Sequence, residues 1–209
     1  MKKTLTVVIA LVLVVVMSVA GTVAYLTSTD TVTNAFTVGN VQIKLDEAEA
    51  NTDGTLVEGA DRVKANSYKL LPGHTYNKDP MVTVLKGSES SYIKMTVTFT
   101  KADELDAIFA PNGADMTSIF NGYDPDNWIY KGNTEDATAN TRTYEFWYKE
   151  AVGAPTADVA LDALFDSITV PGNIKNDQLA TIEGMTITVN AYAIQADGFT
   201  DAADAWSKY

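Results

Sequence analysis

The residue types that carry acid–base, nucleophilic or metal-binding chemistry are unevenly represented in this chain. It has one histidine, His74, no cysteine, and 27 aspartate and glutamate residues. A zinc peptidase of the His-Glu-x-x-His type needs two histidines one helical turn apart, so the sequence excludes that site. A Ser-His-Asp triad could use only His74, which follows Pro72 and Gly73 in a predicted turn. We therefore expect no catalytic residue, no cofactor and no metal site, and we interpret His74 as an ordinary turn residue.

The carboxylates are numerous, but their spacing is typical of turns and helix ends. Asp124-Pro125-Asp126-Asn127 could offer oxygen atoms to Ca²⁺, yet the 12-residue EF-hand pattern with its central glycine is missing. We predict a solvated turn there, with a weak cation site as the alternative. Asp197, Asp201 and Asp204 are expected in the N-terminal turn of a last helix, where carboxylates favour the helix dipole.

One aromatic group invites a binding function. Tyr144, Phe146 and Tyr148 share a face of a predicted strand, and Trp147 lies on the opposite face. Exposed rings could stack on sugars, but the sequence favours a buried face for the first three residues. Trp147 is then expected to be covered by a loop or a helix.

Hydrophobic periodicity indicates the elements that carry these residues. Alternation with a period of two predicts strands that include 41–45, 81–85, 91–100 and 184–195, and a hairpin formed by 127–131 and 141–152. Helical spacing is predicted within 101–110, within 158–165 and after Phe199. Many short strands with few helices favour an all-β antiparallel sandwich with short helical insertions and a short C-terminal helix. Periodicity does not separate a jelly-roll from an immunoglobulin-like topology.

The N-terminus has the features of an export signal. Lys2 and Lys3 precede an apolar stretch from Leu5 to Ala20, and small residues around Ala24 suit a cleavage site. A cleaved signal has an apolar core of about 7–15 residues, whereas a spanning helix needs about 20. We predict a signal peptide at 1–24 with cleavage between Ala24 and Tyr25, or one residue later; an uncleaved anchor is the alternative.

The segment 25–38 that follows the predicted cut is polar, threonine-rich and strand-forming. A chain with a free N-terminal strand can add that strand to the sheet of a neighbour, with alternate side chains filling a groove. The apolar side chains predicted to fill the groove are Leu26, Val32, Phe36 and Val38. A strand paired within its own sheet and a disordered tail are the alternatives. Residues 39–209 are predicted to form a single β-sandwich domain.

Charge and composition limit the partners of the exported chain. Without Lys2 and Lys3, 13 basic residues remain against 27 acidic ones, a net charge of −14. Such a charge argues against binding to nucleic acid and to anionic membranes. Because the chain has no cysteine, its fold cannot depend on disulfides.

Three stretches of the sequence stand out in a fixed order along the chain: Gly21–Thr27 with Asn34–Val41, Leu70–Pro80, and Ala191–Phe199. Together they resemble the TasA/camelysin family of Gram-positive exported proteins, and Leu70–Pro80 is similar to that family's L-x-P-G-D-x-x-x-K-D turn. His74 stands where the family commonly has aspartate. The resemblance implies a jelly-roll sandwich, removal of the signal by a SipW-type signal peptidase, and secretion to the extracellular matrix or cell surface.

These observations predict a secreted structural subunit of a biofilm-matrix or surface fibre. Its main partner would be another copy of the chain, joined head-to-tail by strand donation, with other matrix proteins as further partners and no stable membrane association after cleavage. Two alternatives remain open. One is a cell-surface metallopeptidase like the camelysins, which the missing histidines disfavour, and the other is a monomeric adhesion or glycan-binding module.

Overall fold

The longest strand shows how the sequence builds the main sheet. The computed structural model describes residues 39–109 and 119–209, and the chain from Gly39 to Tyr209 is one compact unit. Strand β4 (Ser91–Thr100) alternates apolar and polar residues, so one row of its side chains points into the core. Four side chains of that row are fully buried: Ile93, Met95, Val97 and Phe99.

Ten strands and three helices are present in the described residues. The other strands are β1 (Ile43–Asp46), β2 (Thr75–Asn77), β3 (Met81–Val84), β5 (Phe120–Asn121), β6 (Trp128–Asp136), β7 (Thr141–Tyr148), β8 (Val159–Ala160), β9 (Ser167–Thr169) and β10 (Ile187–Gln195). The helices are α1 (Ala102–Phe109), α2 (Asn176–Thr181) and α3 (Ala202–Trp206). None of the helices within 39–109 and 119–209 has the length and apolar character needed to cross a membrane.

The strands form three antiparallel sheets. The largest has the order β10-β4-β7-β6, and the two smaller ones have the orders β1-β3-β8 and β2-β9-β5. Side chains of β4 and β7 share one core with Val82 and Val84 of β3 and with Phe120 of β5. The predicted all-β sandwich is therefore confirmed, and the jelly-roll order of its connections stays a prediction.

A second apolar cluster lies next to the main core. It joins Tyr76 of β2 and Ile108 of α1 to Val170, Ile174 and Ile182. Helix α1 belongs to both clusters, because Leu105 packs in the main core and Ile108 in the second.

Buried ion pairs hold the long loop after β1. Arg62 Nε donates to Asp46 Oδ1 at 2.6 Å and Arg62 Nη1 donates to Asp79 Oδ2 at 2.8 Å. Lys78 pairs with Glu47, and both side chains are almost fully buried. Burial acts to raise the pKa of Asp46, but hydrogen bonds from Lys44 and Arg62 outweigh it and hold that pKa below its usual value. Lys78 and Asp79, which lie in the second family-like stretch, therefore have a structural role here.

Several local predictions are confirmed and one is wrong. The helix within 101–110, the hairpin of β6 and β7, the strand ending at Gln195 and the C-terminal helix are all present. The helical turn predicted within 158–165 is absent; Val159 pairs with Val84, and Leu161 N donates to Val82 O at 2.9 Å. Tertiary pairing with β3 thus overrides the local spacing. Helix α2 was missed because its six residues bury no side chain and so show no apolar period.

Candidate functional site: a free strand edge

The residues predicted to carry assembly lie outside the described part of the chain. These are the groove-filling residues Leu26, Val32, Phe36 and Val38 and the cleavage residues Ala24 and Tyr25. Their roles stay predictions. What the structure describes is the surface that could receive such a strand.

Strand β10 is an outer strand of the four-stranded sheet, and its main-chain groups alternate in direction. Thr100 N donates to Thr186 O at 3.1 Å before the strand, and Ala196 N donates to Ser90 O at 2.7 Å after it. Because the pattern has a period of two, the even-numbered residues of β10 bond to β4 and the odd-numbered ones face away. Within 39–109 and 119–209 no strand pairs with that outward edge.

The inward side chains beside this edge are incompletely covered. On β4 the row from Ile93 to Phe99 is fully buried, whereas the residues paired with it on β10 are only partly buried. These partly buried residues are Ile187, Val189, Ala191 and Ala193. Each is apolar, so covering it with a further strand would remove more apolar surface from water.

In the sheet β1-β3-β8, which shares the core, the burial of side chains likewise decreases towards the side next to β10. Val82 and Val84 of β3 are fully buried, but their partners Leu45 and Ile43 on β1 are partly buried. Strand β1 lies next to β10. The sandwich is therefore least complete along the side that β1 and β10 share.

The outer face of β10 is covered only near its C-terminal end. There Tyr192 lies opposite Lys94 of β4, whose Nζ is 5.3 Å from the Tyr192 ring, 4.6 Å from the Trp206 ring and 5.0 Å from the Tyr209 ring. Asp201 caps α3 by accepting a hydrogen bond from Asp204 N at 2.9 Å, as predicted, but Asp197 lies in a separate turn before the helix, where the prediction was wrong. Helix α3 thus packs on the outer face of the sheet at this end.

The opposite edge of the sheet, β6, is protected. The Tyr123 hydroxyl donates to Trp128 O and accepts from Tyr130 N at 3.1 Å, so it bonds main-chain groups that face away from β7. A register shift between Tyr130 and Gly132 then interrupts the ladder. Bulges and covering groups of this kind hinder the pairing of an edge with another strand.

The residues considered for catalysis or metal binding do not come together. His74 is exposed in the turn formed by Pro72 and Gly73, where Gly73 has φ 75° as the predicted turn requires. Asp124 forms the predicted turn by accepting hydrogen bonds from the backbone of Asp126 and Asn127. Across the described ranges, no three His, Cys, Asp or Glu side chains are grouped so that they could hold a metal ion.

The aromatic group mainly serves packing. Tyr144 and Phe146 are buried in the main core and Tyr148 is partly buried against it, as predicted. On the other face, the Trp147 ring centroid lies 6.5 Å from that of Trp206, so α3 partly covers it.

Comparison with known proteins gives no further assignment. No protein-family model, no curated protein and no solved structure matches this chain. Sequence reasoning recognised β10 as a strand but missed that it is an edge. The available signal was its composition, since residues 187–195 contain no charge, proline or glycine.

Proposed function

We propose that the protein is a secreted structural subunit of an extracellular matrix or surface fibre. In this proposal each subunit donates its segment 25–38 to the outward edge of β10 in the next subunit. One observation carries the proposal: a nine-residue, uncharged and regular edge strand whose inward side chains are apolar and only partly buried. Such an edge is a template for the addition of another strand.

The composition of 25–38 fits that edge. The four residues predicted to fill the groove, Leu26, Val32, Phe36 and Val38, all have even numbers. In an extended strand they therefore point to the same side, towards the partly buried row of β10, while the other side is mainly threonine. The outward main-chain groups of β10 would gain hydrogen-bond partners in the same step.

Donation from one end of a subunit to the edge of another is a heterologous contact. Such contacts do not close on themselves unless the rotation makes a ring, so they generate filaments. Neighbouring subunits of net charge −14 repel one another, and salt or protonation relieves this repulsion. We therefore expect monomers in dilute neutral buffer, and filaments in acid, at high salt or with millimolar divalent cations.

Export and family membership belong to the same proposal. The charge pattern of residues 1–24 supports a cleaved signal peptide. The three family-like stretches support a place near the TasA/camelysin proteins, and that resemblance implies a SipW-type signal peptidase. Cleavage after Ala24 would place the donor strand at the new N-terminus. N-terminal sequencing of extracellular protein should return Tyr25 or Leu26, and recovery of Met1 would contradict this step.

The test compares variants of the chain exported from a Gram-positive host that expresses the full sequence. Negative-stain microscopy and sedimentation should show filaments for the unmodified chain under the three conditions above. Deletion of 25–38 and the substitution Val32→Asp should abolish them. Thr33→Asp adds the same charge on the opposite side of the strand and should retain them. Filaments of normal appearance from the deleted chain would overturn the proposal.

A further inference from the structure

A cavity opens where the free edge of β10 begins. It has a volume of about 850 Å³, and Met185 and Ile187 form one wall. The opposite walls come from Phe109 of α1, Leu179 of α2, and Tyr76 and Val170 of the second apolar cluster. Pockets of about 300–1,000 Å³ are the usual size for bound groups.

Both tyrosine hydroxyls and the Lys78 ammonium that line this cavity are already bonded within the domain. Tyr76 Oη donates to Lys69 O at 2.8 Å and accepts from Leu71 N at 2.7 Å. Tyr68 Oη donates to Asn77 O at 2.6 Å, and Lys78 is paired with Glu47. The cavity therefore suits apolar side chains, because a polar group that entered it would lose its hydrogen bonds to water and would find these groups already bonded.

The donor segment is longer than the edge that would receive it. Residues 25–38 comprise 14 residues, and β10 has nine. At a rise of about 3.3 Å per residue, the surplus extends roughly 16 Å past one end of β10. Beyond Gln195 the chain enters a polar turn with Asp197 and Gly198, whereas the apolar cavity lies beyond Ile187.

The sizes of the side chains indicate which end of the segment reaches the cavity. The inward row of β10 is large near the cavity, at Ile187 and Val189, and small near Gln195, where it has two alanines. In 25–38 three of the four groove-filling residues lie in the C-terminal half. The large residues of both strands meet only if the added segment runs antiparallel to β10, the direction of every strand pair in the described ranges.

We propose that the segment 25–38 of one copy runs antiparallel to β10 of the next copy and places Phe36 in this cavity. The inference rests on the proposed function and adds the direction of the strand and its principal anchor. The inward side chains of the segment must lie opposite the inward side chains of β10, so the register can shift only in steps of two residues. Three such registers cover all nine residues of β10. In the two that carry the segment furthest past Ile187, Phe36 lies opposite Met185 or Ile187, and both line the cavity; in the third, Val38 lies opposite Ile187.

Because the chain has no cysteine, single cysteines can report this pairing directly. Residues directly opposite across a strand pair lie about 5.5 Å apart at Cα, within the range that a disulfide spans. Exported chains with Phe36→Cys are mixed with chains carrying Met185→Cys or Ile187→Cys, placed under filament-forming conditions and oxidised. We expect covalent dimers to form at least tenfold faster than in the matched mixture with Leu26→Cys. The Leu26→Cys chain should instead crosslink to Gln195→Cys when Phe36 lies opposite Met185, and to Asp197→Cys when Phe36 lies opposite Ile187.

Each other outcome has a distinct meaning. Crosslinks of Leu26→Cys to the cavity and of Phe36→Cys to Gln195→Cys would overturn the antiparallel direction and leave strand donation standing. Filaments without any of these crosslinks would overturn the placement of Phe36 in the cavity, whereas filaments formed by the chain that lacks 25–38 would overturn strand donation itself. A disulfide that forms only within a chain carrying both Phe36→Cys and Met185→Cys would show that the cavity receives the chain's own segment. Because Met185→Cys and Ile187→Cys are tested separately, the result does not depend on one variant that fails to fold.

Discussion

Strands β6 and β10 are the outer strands of the same sheet and both have nine residues, yet within 39–109 and 119–209 only β6 has features that hinder the addition of another strand. On β6 the Tyr123 hydroxyl covers the outward groups of Trp128 and Tyr130, and a bulge follows before Gly132. The pairing of β10 with β4 is regular over its whole length.

The two edges also differ in charge and in what they would bury. Strand β6 ends in Glu135 and Asp136, and its last four residues are exposed. Strand β10 is uncharged, and its inward row is apolar and half-covered. Exposed regular edges are normally blocked because they promote aggregation. The contrast shows that β6 carries features that block another strand, and it is the reason why we propose β10 as the edge that receives one.

The largest expected effect comes from removing an outward main-chain donor on β10. Ala191→Pro deletes an N–H that faces away from β4, so the sheet itself keeps its hydrogen bonds. A donor strand would meet the proline ring and keep one unpaired main-chain carbonyl, which costs about 1–3 kcal/mol and corresponds to roughly 5- to 150-fold weaker assembly. Sedimentation at increasing protein concentration measures this loss.

Asn133→Pro is the matched control for that substitution. Counted across the bulge, Asn133 is one of the β6 residues whose main chain faces away from β7, and its side chain is exposed. We expect assembly of Asn133→Pro within twofold of the unmodified chain. Equal losses from the two prolines would remove the distinction between the edges.

A smaller effect concerns Asp46 at the end of β1, the strand that lies next to β10. The pKa of Asp46 is lower in the folded chain than its ordinary value of 3.8. The stability that this carboxylate contributes is therefore fully present above pH 3.8 and is lost as the pH falls through the lower folded value. At the sequence pI of about 4.4 the net charge is near zero, but the Asp46 carboxylate is still ionised and keeps its ion pairs. Acid-induced assembly should therefore use folded subunits.

Asp46→Asn tests that statement. Charged hydrogen bonds contribute about 2 kcal/mol, so the substitution should lower the thermal midpoint by about 4–8 °C at pH 6. The difference from the unmodified chain should shrink below pH 3.8. The exposed Asp61→Asn is the control and should change the midpoint little at either pH. A constant difference from pH 6 to pH 3 would contradict the assigned role of Asp46.

The smallest effect concerns the closure of β6. Tyr123→Phe removes the hydroxyl that bonds Trp128 O and Tyr130 N, and we expect the free energy of unfolding in urea to fall by about 1 kcal/mol. Assembly should be unchanged, because the bulge still interrupts this edge. Tyr192→Phe keeps the ring beside Lys94 and serves as the control. New lateral association of Tyr123→Phe through an intact β10 would show that the hydroxyl alone closes β6.

The sequence predicted well those elements whose hydrophobic spacing can be read within a single strand or helix. The alternation of β4 and β10 and the spacing of Leu105 and Ile108 in α1 are local properties. Val159 became a strand residue only because it meets Val84, a contact between distant parts of the chain. The same limit applies to the candidate site. Alternation marks Val189 as half-buried, but only the assembled sheet shows that no strand from the described ranges lies beyond it.

The central claim, that β10 receives a strand and β6 does not, is tested most directly by residue-resolved amide hydrogen exchange in monomers and in filaments. In the monomer, even-numbered amides of β10 should already be protected by β4, while those of Val189, Ala191 and Ala193 should exchange quickly. In filaments these odd-numbered amides should become strongly protected, and the Asn133 amide of β6 should exchange as in the monomer. Protection gained at Asn133, with the odd-numbered amides of β10 still exchanging quickly, would contradict the account.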